Sequence, residues 1–324
     1  MIVIGRDEVR RRLTYERCIP LVREAMIALS RGATRQVPRA IIDLDAGHMF
    51  GVMPGALGPK DAFGAKLISV YPENFEQGRQ SHQGLVAIFD PQDGAVAAIV
   101  HAGEVTAIRT AAASAVATDA LARPDAGVLA ILGYGEQAHT HLAAMAQVRP
   151  LTDVRVWGRS PERAAAFADN ASAETGLPVR ACAEVATAVA GADIICAVSA
   201  AAEPILLGRH VAAGAHVNLV GSSRAGPAEA DDDLVARSRF FADHKQGVLL
   251  QGAEFLNAVA SGRVAEGHLL GEIGEVLDGT LPGRLSDTDV TVYKSLGSIV
   301  QDLAGAWALY EDAKAEGFGV EVDF

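Results

Sequence analysis

Apolar positions recur along this chain with two different periods, and the points where the period changes divide it into segments. Residues 1–8 fit a short strand. Over residues 14–31, Cys18, Leu21, Val22, Ala25, Met26 and Leu29 fall at helical intervals, and Gly32 supplies a stop. Between residues 37 and 100 short apolar runs, broken by Gly, Pro and Asp, predict strands at 41–44, 49–53, 65–70, 85–89 and 95–100. Asp90-Pro91-Gln92-Asp93-Gly94 joins the last two as a hairpin, because proline presets the turn and glycine tolerates a positive φ. Residues 104–121 are rich in alanine and lack Pro and Gly, which predicts a long helix. The segment 122–127, with Pro124 and Gly127, breaks that helix and marks a domain boundary.

Strand and helix patterns then alternate: a strand at 128–132, a helix after Gly135, a strand at 154–157, a helix through 164–173 and a strand at 194–198. Residues 217–220 and 239–242 are further strands of the same layer. Their apolar runs have no polar face, which suits a parallel sheet covered by helices. A final helix is expected from near Val292 towards Ala313, with Lys294-Ser295-Leu296-Gly297 at its start. Packed against residues 104–121, it would return the C-terminus to the first domain. The fold class is therefore α/β. A parallel-sheet domain (122–291) is joined to a first domain (1–121) that the C-terminal helix, 292–324, completes.

Composition narrows the function. Of 324 residues, 50% are hydrophobic, enough for a substantial core. No uninterrupted apolar run approaches the roughly 18 residues of a membrane span. The N-terminal segment lacks the order of a secretory signal, so cytoplasmic residence is the default. The formal net charge of −12 repels a polyanion, and no basic stretch with interleaved aromatics offsets it, which argues against nucleic acid. Cys18, Cys182 and Cys196 are isolated and read as buried small apolar residues. The 9 histidines form no HxxxH or HExxH pair, so no metal is expected.

The best local signal is the apolar run 128–132 followed by Gly133-Tyr134-Gly135-Glu136-Gln137-Ala138. The first glycine allows a tight turn; the second lets pyrophosphate approach backbone N–H groups at the positive end of a helix. Ala138 replaces the usual third glycine. After the next strand, where NAD-selective sites place an acid, stand Arg159 and Ser160, with Arg163 a helical turn later. A guanidinium and a hydroxyl suit a 2′-phosphate, so NADP(H) is expected to be preferred, with NAD(H) possible. Arg39 and Arg109 stand among apolar residues and could hold a carboxylate bidentately or serve as ordinary ion-pair partners. Lys66 lies within an expected strand; it reads as a proton-exchanging amine with a lowered pKa or as an edge-strand residue. Ser81-His82-Gln83 reads as a polar cluster in a cleft or as a satisfied turn.

Taken together, these patches resemble the ornithine cyclodeaminase/mu-crystallin family over nearly the whole chain. The resemblance is carried by Gly51-Val52-Met53-Pro54, Ala65-Lys66-Leu67, Ser81-His82-Gln83, Arg109-Thr110-Ala111-Ala112, the Gly133 turn, Glu203-Pro204-Ile205-Leu206, Gly214-Ala215-His216-Val217-Asn218 and Lys294-Ser295-Leu296-Gly297. It implies a homodimer in which an α+β substrate-binding and dimerisation domain (1–121, with 292–324) is joined to a Rossmann dinucleotide-binding domain (122–291). It places Arg39, Met53, Lys66, His82 and Arg109 at the substrate, with Lys66 catalytic and the two arginines on a carboxylate. On the cofactor side it places Thr110, Gly133, Gly135, Glu136, Gln137, Arg159, Ser160, Arg163, Val198, Ser199, Val220, Ser222, Lys294 and Ser295. Cyclodeaminases of the family are similar to one another in carrying an aspartate where this chain has Ser223. The resemblance thus points to an NAD(P)H-dependent reductase of a cyclic ketimine, Δ1-pyrroline-2-carboxylate or Δ1-piperideine-2-carboxylate, giving L-proline or L-pipecolate. The alternatives are ornithine cyclodeamination, alanine dehydrogenation, reduction of an acyclic imine such as iminosuccinate, and an NADPH-regulated ligand-binding protein.

Overall fold

A computed structural model describes residues 1–323, and these fall into two units. The first comprises Met1–Ala112 and the C-terminal segment from Ser298; the second is Ala113–Gly297. In chain order the first holds β1 (Ile2–Ile4), α1 (Arg6–Arg12), α2 (Tyr15–Ser30), β2 (Arg35–Gln36), β3 (Ala40–Asp43), β4 (Met49–Ala56), β5 (Phe63–Val70), β6 (His82–Phe89) and β7 (Val96–His101). α3 (Ala102–Leu121) begins in the first unit and ends in the second. The second continues with β8 (Val128–Leu132), α4 (Glu136–Val148), β9 (Asp153–Trp157), α5 (Pro161–Thr175), β10 (Val179–Ala181), α6 (Val185–Val189), β11 (Ile194–Ala197) and β12 (His216–Leu219). It closes with α7 (Asp232–Arg237), β13 (Ser238–Ala242), α8 (Lys245–Gln251), α9 (Ala253–Ala260), β14 (Leu269–Glu272), α10 (Ile273–Leu277) and β15 (Val290–Lys294). α11 (Ile299–Glu316) and β16 (Val320–Glu321) belong to the first unit.

The first unit is built on an eight-stranded sheet, ordered β16-β1-β7-β6-β5-β4-β2, with β3 also pairing with β4. β1 and β7 run parallel; the other pairs are antiparallel. α2 buries Cys18, Val22, Ala25, Met26 and Leu29, the stripe its sequence predicts, and ends before Gly32, whose φ of 66° admits the reversal. The β6–β7 hairpin closes as its turn residues require: Gly94 N–H donates to Asp90 O, and Asp90 N–H donates to Ala95 O. α11 packs on α2 and on β4, β5 and β6. The expected strand over residues 1–8 is shorter than read. It stops at Ile4, and α1 follows, with Asp7 and Glu8 in its first turn and Arg10, Arg11 and Arg12 in its last, matching the helix dipole.

The second unit is a Rossmann-type doubly wound layer, an eight-stranded sheet ordered β10-β9-β8-β11-β12-β15-β13-β14 with every pairing parallel. The order reverses between β8 and β11, the switch point where a ligand seats outside the carboxyl ends of the strands. One expectation fails here. Residues 290–294 do not begin the final helix; they form β15, buried along its whole length between β12 and β13. The run Val-Thr-Val-Tyr-Lys is β-branched and aromatic, and a strand covered on both faces shows no alternation to set it apart from a helix. α11 starts only at Ile299, where the Ser298 side chain caps it by accepting from Val300 N–H. The unit boundaries move accordingly, to 112/113 and 297/298 in place of 121/122 and 291/292. The C-terminal half of α3 bonds into the second unit: Ser114 meets His141, and Thr118 accepts from Asn218.

Candidate functional site

In the first unit three elements converge on one carboxylate. β5 presents Lys66, α3 presents Arg109, and the first turn of α11 presents Asp302. Lys66 Nζ donates to Asp302 Oδ2 at 2.8 Å, and Arg109 Nε donates to Asp302 Oδ1 at 3.0 Å. Relative exposures of 2%, 4% and 0% for Lys66, Arg109 and Asp302 place the triad out of water. Burial lowers the Lys66 ammonium from its ordinary value to about 8; Arg109 adds to that push and Asp302 opposes it. Burial acts to raise the Asp302 carboxyl, but Arg109 and Lys66 hold it below the usual carboxylate value. Two cations sharing one anion leave a net positive charge, which an incoming carboxylate can neutralise.

Arg109 is held by both flanks. Nε is taken by Asp302 and Nη1 donates to Gln301 Oε1 at 2.9 Å, which leaves Nη2 and the second Nη1 hydrogen as the donors an incoming anion could use. Met53 pairs across the β4–β5 ladder with Lys66. Arg39, half-buried between β2 and β3, contributes to lowering Lys66. His82 opens β6 with its Nδ1 2.9 Å from Ser81 Oγ; burial, then Lys66 and Arg109, push it down to about 4. It is therefore a neutral hydrogen-bonding group at neutral pH. Thr110 is buried beside Arg109 on α3, in the first unit. Asp302 and Gln301 were not legible in the sequence. An isolated acid in an apolar helix has no spacing signature, and its partner Lys66 lies 236 positions away.

In the second unit the cofactor-side residues gather at the carboxyl ends of the parallel strands. Gly133 follows β8 at φ 139°, and a Cβ there would lie 2.9 Å from the Val198 carbonyl oxygen beyond β11, so the turn excludes a side chain. Gly135 is the N-cap of α4 and offers no side-chain cap, leaving first-turn N–H groups for an anion. Gln137 Oε1 is buried without a protein partner. Past β9, the Tyr134 ring covers Gly158, where a Cβ would come within 2.0 Å of it. Exposed Arg159 and half-buried Ser160 follow, and Ser160 Oγ caps α5, accepting from Arg163 N–H at 3.2 Å and donating to Glu162 at 2.8 Å. This glycine turn and uncapped helix end fit a dinucleotide pyrophosphate.

Beyond β11 and β12 lie Val198, Ser199, Val220 and Ser222. Ser222 Oγ donates to Arg224 O and Pro227 O. Lys294, at the end of β15, is fully buried. Its Nζ pairs with Glu254 at 2.7 Å and donates to Ser222 O at 2.7 Å, so its charge is spent inside the unit. Ser295 follows it, buried. Burial raises the Glu229 carboxyl to about 7, with Ser199 and Lys294 acting in the opposite sense. Cys18 and Cys196 are buried thiols pushed up to about 12 and carry no nucleophilic chemistry.

Compared with known proteins, the chain matches the family model described as "Ornithine cyclodeaminase/mu-crystallin family" over residues 2–317. The chain belongs to this family. The mouse (Mus musculus) ketimine reductase mu-crystallin is 36% identical over 297 residues, covering 90% of this chain and 91% of that protein. The iminosuccinate reductase of Paracoccus denitrificans is 34% identical over 326 residues, covering 100% of both. Among solved structures, the Thermococcus litoralis Δ1-pyrroline-2-carboxylate reductase in complex with NADH and L-proline superposes with a TM-score of 0.96. It is 31% identical, with 99% of this chain and 100% of that chain covered. Among the described residues no helix is long and apolar enough to cross a membrane.

Proposed function

We propose that this enzyme is an NAD(P)H-dependent reductase of carboxylated imines, acting on a cyclic ketimine such as Δ1-pyrroline-2-carboxylate or Δ1-piperideine-2-carboxylate to give proline or pipecolate. The observation that carries the reading is the buried Lys66–Asp302–Arg109 triad. The second unit's glycine turn would hold the dinucleotide through Gly133, Gly135 and Gln137, and the reduced nicotinamide supplies hydride to the imine carbon. Arg109, through its open Nη end, and Arg39 take the substrate carboxylate and fix the C=N bond in one orientation. Lys66 donates the proton that the imine nitrogen needs as its bond to carbon becomes single, and Asp302 holds the ammonium in place. Proton from Lys66 and hydride from the cofactor together account for the two hydrogens added. Neutral His82 and Met53 border the substrate.

Cyclodeamination is disfavoured by Ser223, which offers no carboxylate where cyclodeaminases of the family carry one. An acyclic imine is the second reading, favoured by the full-length similarity to an iminosuccinate reductase. NADP(H) is preferred to NAD(H) through Arg159, and the enzyme is a homodimer. Its first-unit surface exposes Val37, Ile41, Ile42 and Leu44 on and around β3, whose outer edge has no partner strand among the described residues.

The deciding experiment follows loss of reduced-nicotinamide absorbance with Δ1-pyrroline-2-carboxylate, Δ1-piperideine-2-carboxylate and iminosuccinate, each with NADPH and NADH. Fastest turnover on a cyclic imine is expected. Turnover confined to iminosuccinate transfers the assignment to the acyclic reading. Turnover on none of the three by folded, dinucleotide-bound protein overturns the imine reductase reading.

A further inference from the structure

Glu229 lies just before α7 and is fully buried, yet its carboxylate bonds to loops and not to the sheet core. Oε1 accepts from Ser199 N–H and from Ser199 Oγ, both at 2.7 Å, and Oε2 accepts from Gly221 N–H at 2.7 Å. Ser199 and Gly221 each stand two positions beyond a strand end, of β11 and β12 respectively, and those strands are neighbours in the sheet. The two loops touch: a Cβ on Gly221 would lie 1.9 Å from Ser199 O and 2.6 Å from Glu229 Oε1. A side chain at 221 would push the loops apart.

Glu229 is itself fixed from behind. Its carbonyl accepts from Ile205 and Leu206 N–H, and its own N–H donates to Glu254 Oε1 at 3.0 Å. Glu254 pairs with Lys294 at the end of β15, and Lys294 reaches back to Ser222 O in the loop after β12. One connected polar network thus joins the carboxyl ends of three adjacent strands, β11, β12 and β15. The turn after β8 suits pyrophosphate and the end of β9 suits the adenosine ribose. The ends of β11 and β12 lie on the other side of the switch point, where the nicotinamide half of a dinucleotide goes.

We propose that Glu229 is a positioning residue that ties the loops after β11 and β12 into one wall for the nicotinamide half of the cofactor. The inference rests on the reading that this unit binds a dinucleotide. Above about pH 7, where the Glu229 carboxylate is ionised, three charge-assisted hydrogen bonds to loop groups hold that wall open and rigid before the cofactor arrives. Glutamine at 229 keeps the volume but turns an amide donor towards one of the N–H groups, so the clamp cannot close on both loops.

The test compares wild type with Glu229→Gln in two titrations: NADPH and NADH by fluorescence, and ADP-ribose with its 2′-phosphate by calorimetry. These last probes lack nicotinamide. About a tenfold loss of dinucleotide affinity is expected, the size of one lost charged hydrogen bond, with the fragments bound as by wild type. Equal losses for dinucleotide and fragment would show a general structural defect and overturn the proposal, as would no loss at all. A wild type that binds neither overturns the dinucleotide reading itself. If Glu229→Gln does not fold, Ser199→Ala removes one of the three bonds. It should show a smaller loss with the same selectivity, and its absence overturns the proposal.

Discussion

At Lys66 burial and charge work against each other, and the balance sets the chemistry. An ammonium in water titrates too high to give up its proton readily; burial brings this one to about 8, while Asp302 keeps it charged at neutral pH. Lys66→Met should lower imine turnover by about 10²- to 10⁴-fold, the range for loss of a general acid, with NADPH affinity preserved in a fluorescence titration. Unchanged turnover would remove Lys66 from the proton path. On the proposed mechanism the acid form of Lys66 acts, so wild-type kcat should fall as pH rises through about 8. Asp302→Asn removes the anion that raises the lysine, so that alkaline limb should shift to lower pH. The same change leaves two buried cations uncompensated and should reduce stability by about 3–5 kcal/mol in denaturant titration. A limb that stays in place would show that Asp302 does not act through Lys66.

Elements explain both what could be read beforehand and what could not. The stripe of α2, the β8 run before Gly133 and the turn at Gly94 were readable because periodicity and turn chemistry are local. β15 was not, because a strand buried on both faces looks like a short piece of buried helix. The triad was not either: Lys66 and Arg109 stood out as charges among apolar residues, whereas Asp302, their shared partner, becomes visible only when α11 packs on β5. At the end of β9, the expectation of a phosphate clamp meets a hydroxyl already used as a helix cap. The proposed NADP(H) preference thus rests on Arg159, and Arg159→Ala should raise the KM for NADPH about tenfold with little change for NADH. Equal effects on both cofactors would dismiss the clamp. β3 supplies a different expectation. Ile42 is 58% exposed on a strand with an open edge, so Ile42→Asp should convert a dimer to a monomer in light scattering. A wild-type monomer would end the dimer reading.

For the whole molecule, a few buried groups give stability a definite dependence on pH just below the ordinary histidine range. His141, bonded to Gln137 O and Ser114, and His216, bonded to Thr291 and Asn218, are fully buried and pushed by burial to about 4 and about 3. Below the ordinary histidine value near 6.5, the unfolded chain takes up protons that these two rings refuse in the folded state. Their contribution is therefore fully present above about 6.5 and is lost as pH falls towards about 4. Glu229 acts in the opposite sense. Its folded value of about 7 lies above its unfolded one, so the folded state binds a proton that the unfolded state does not over the same window. His82, held at about 4, is a third such histidine, and three histidines against one glutamate leave a net excess of two protons on the unfolded chain, which amounts to about 2.7 kcal/mol of stability lost per pH unit. Urea titrations between pH 6.5 and 4.5 should show this slope. His141→Gln should roughly halve it by removing one histidine, and Glu229→Gln should steepen it by about half by removing the opposing group. If both variants keep the wild-type slope, acid sensitivity arises elsewhere, in the surface carboxylates, and the buried network is silent in this range.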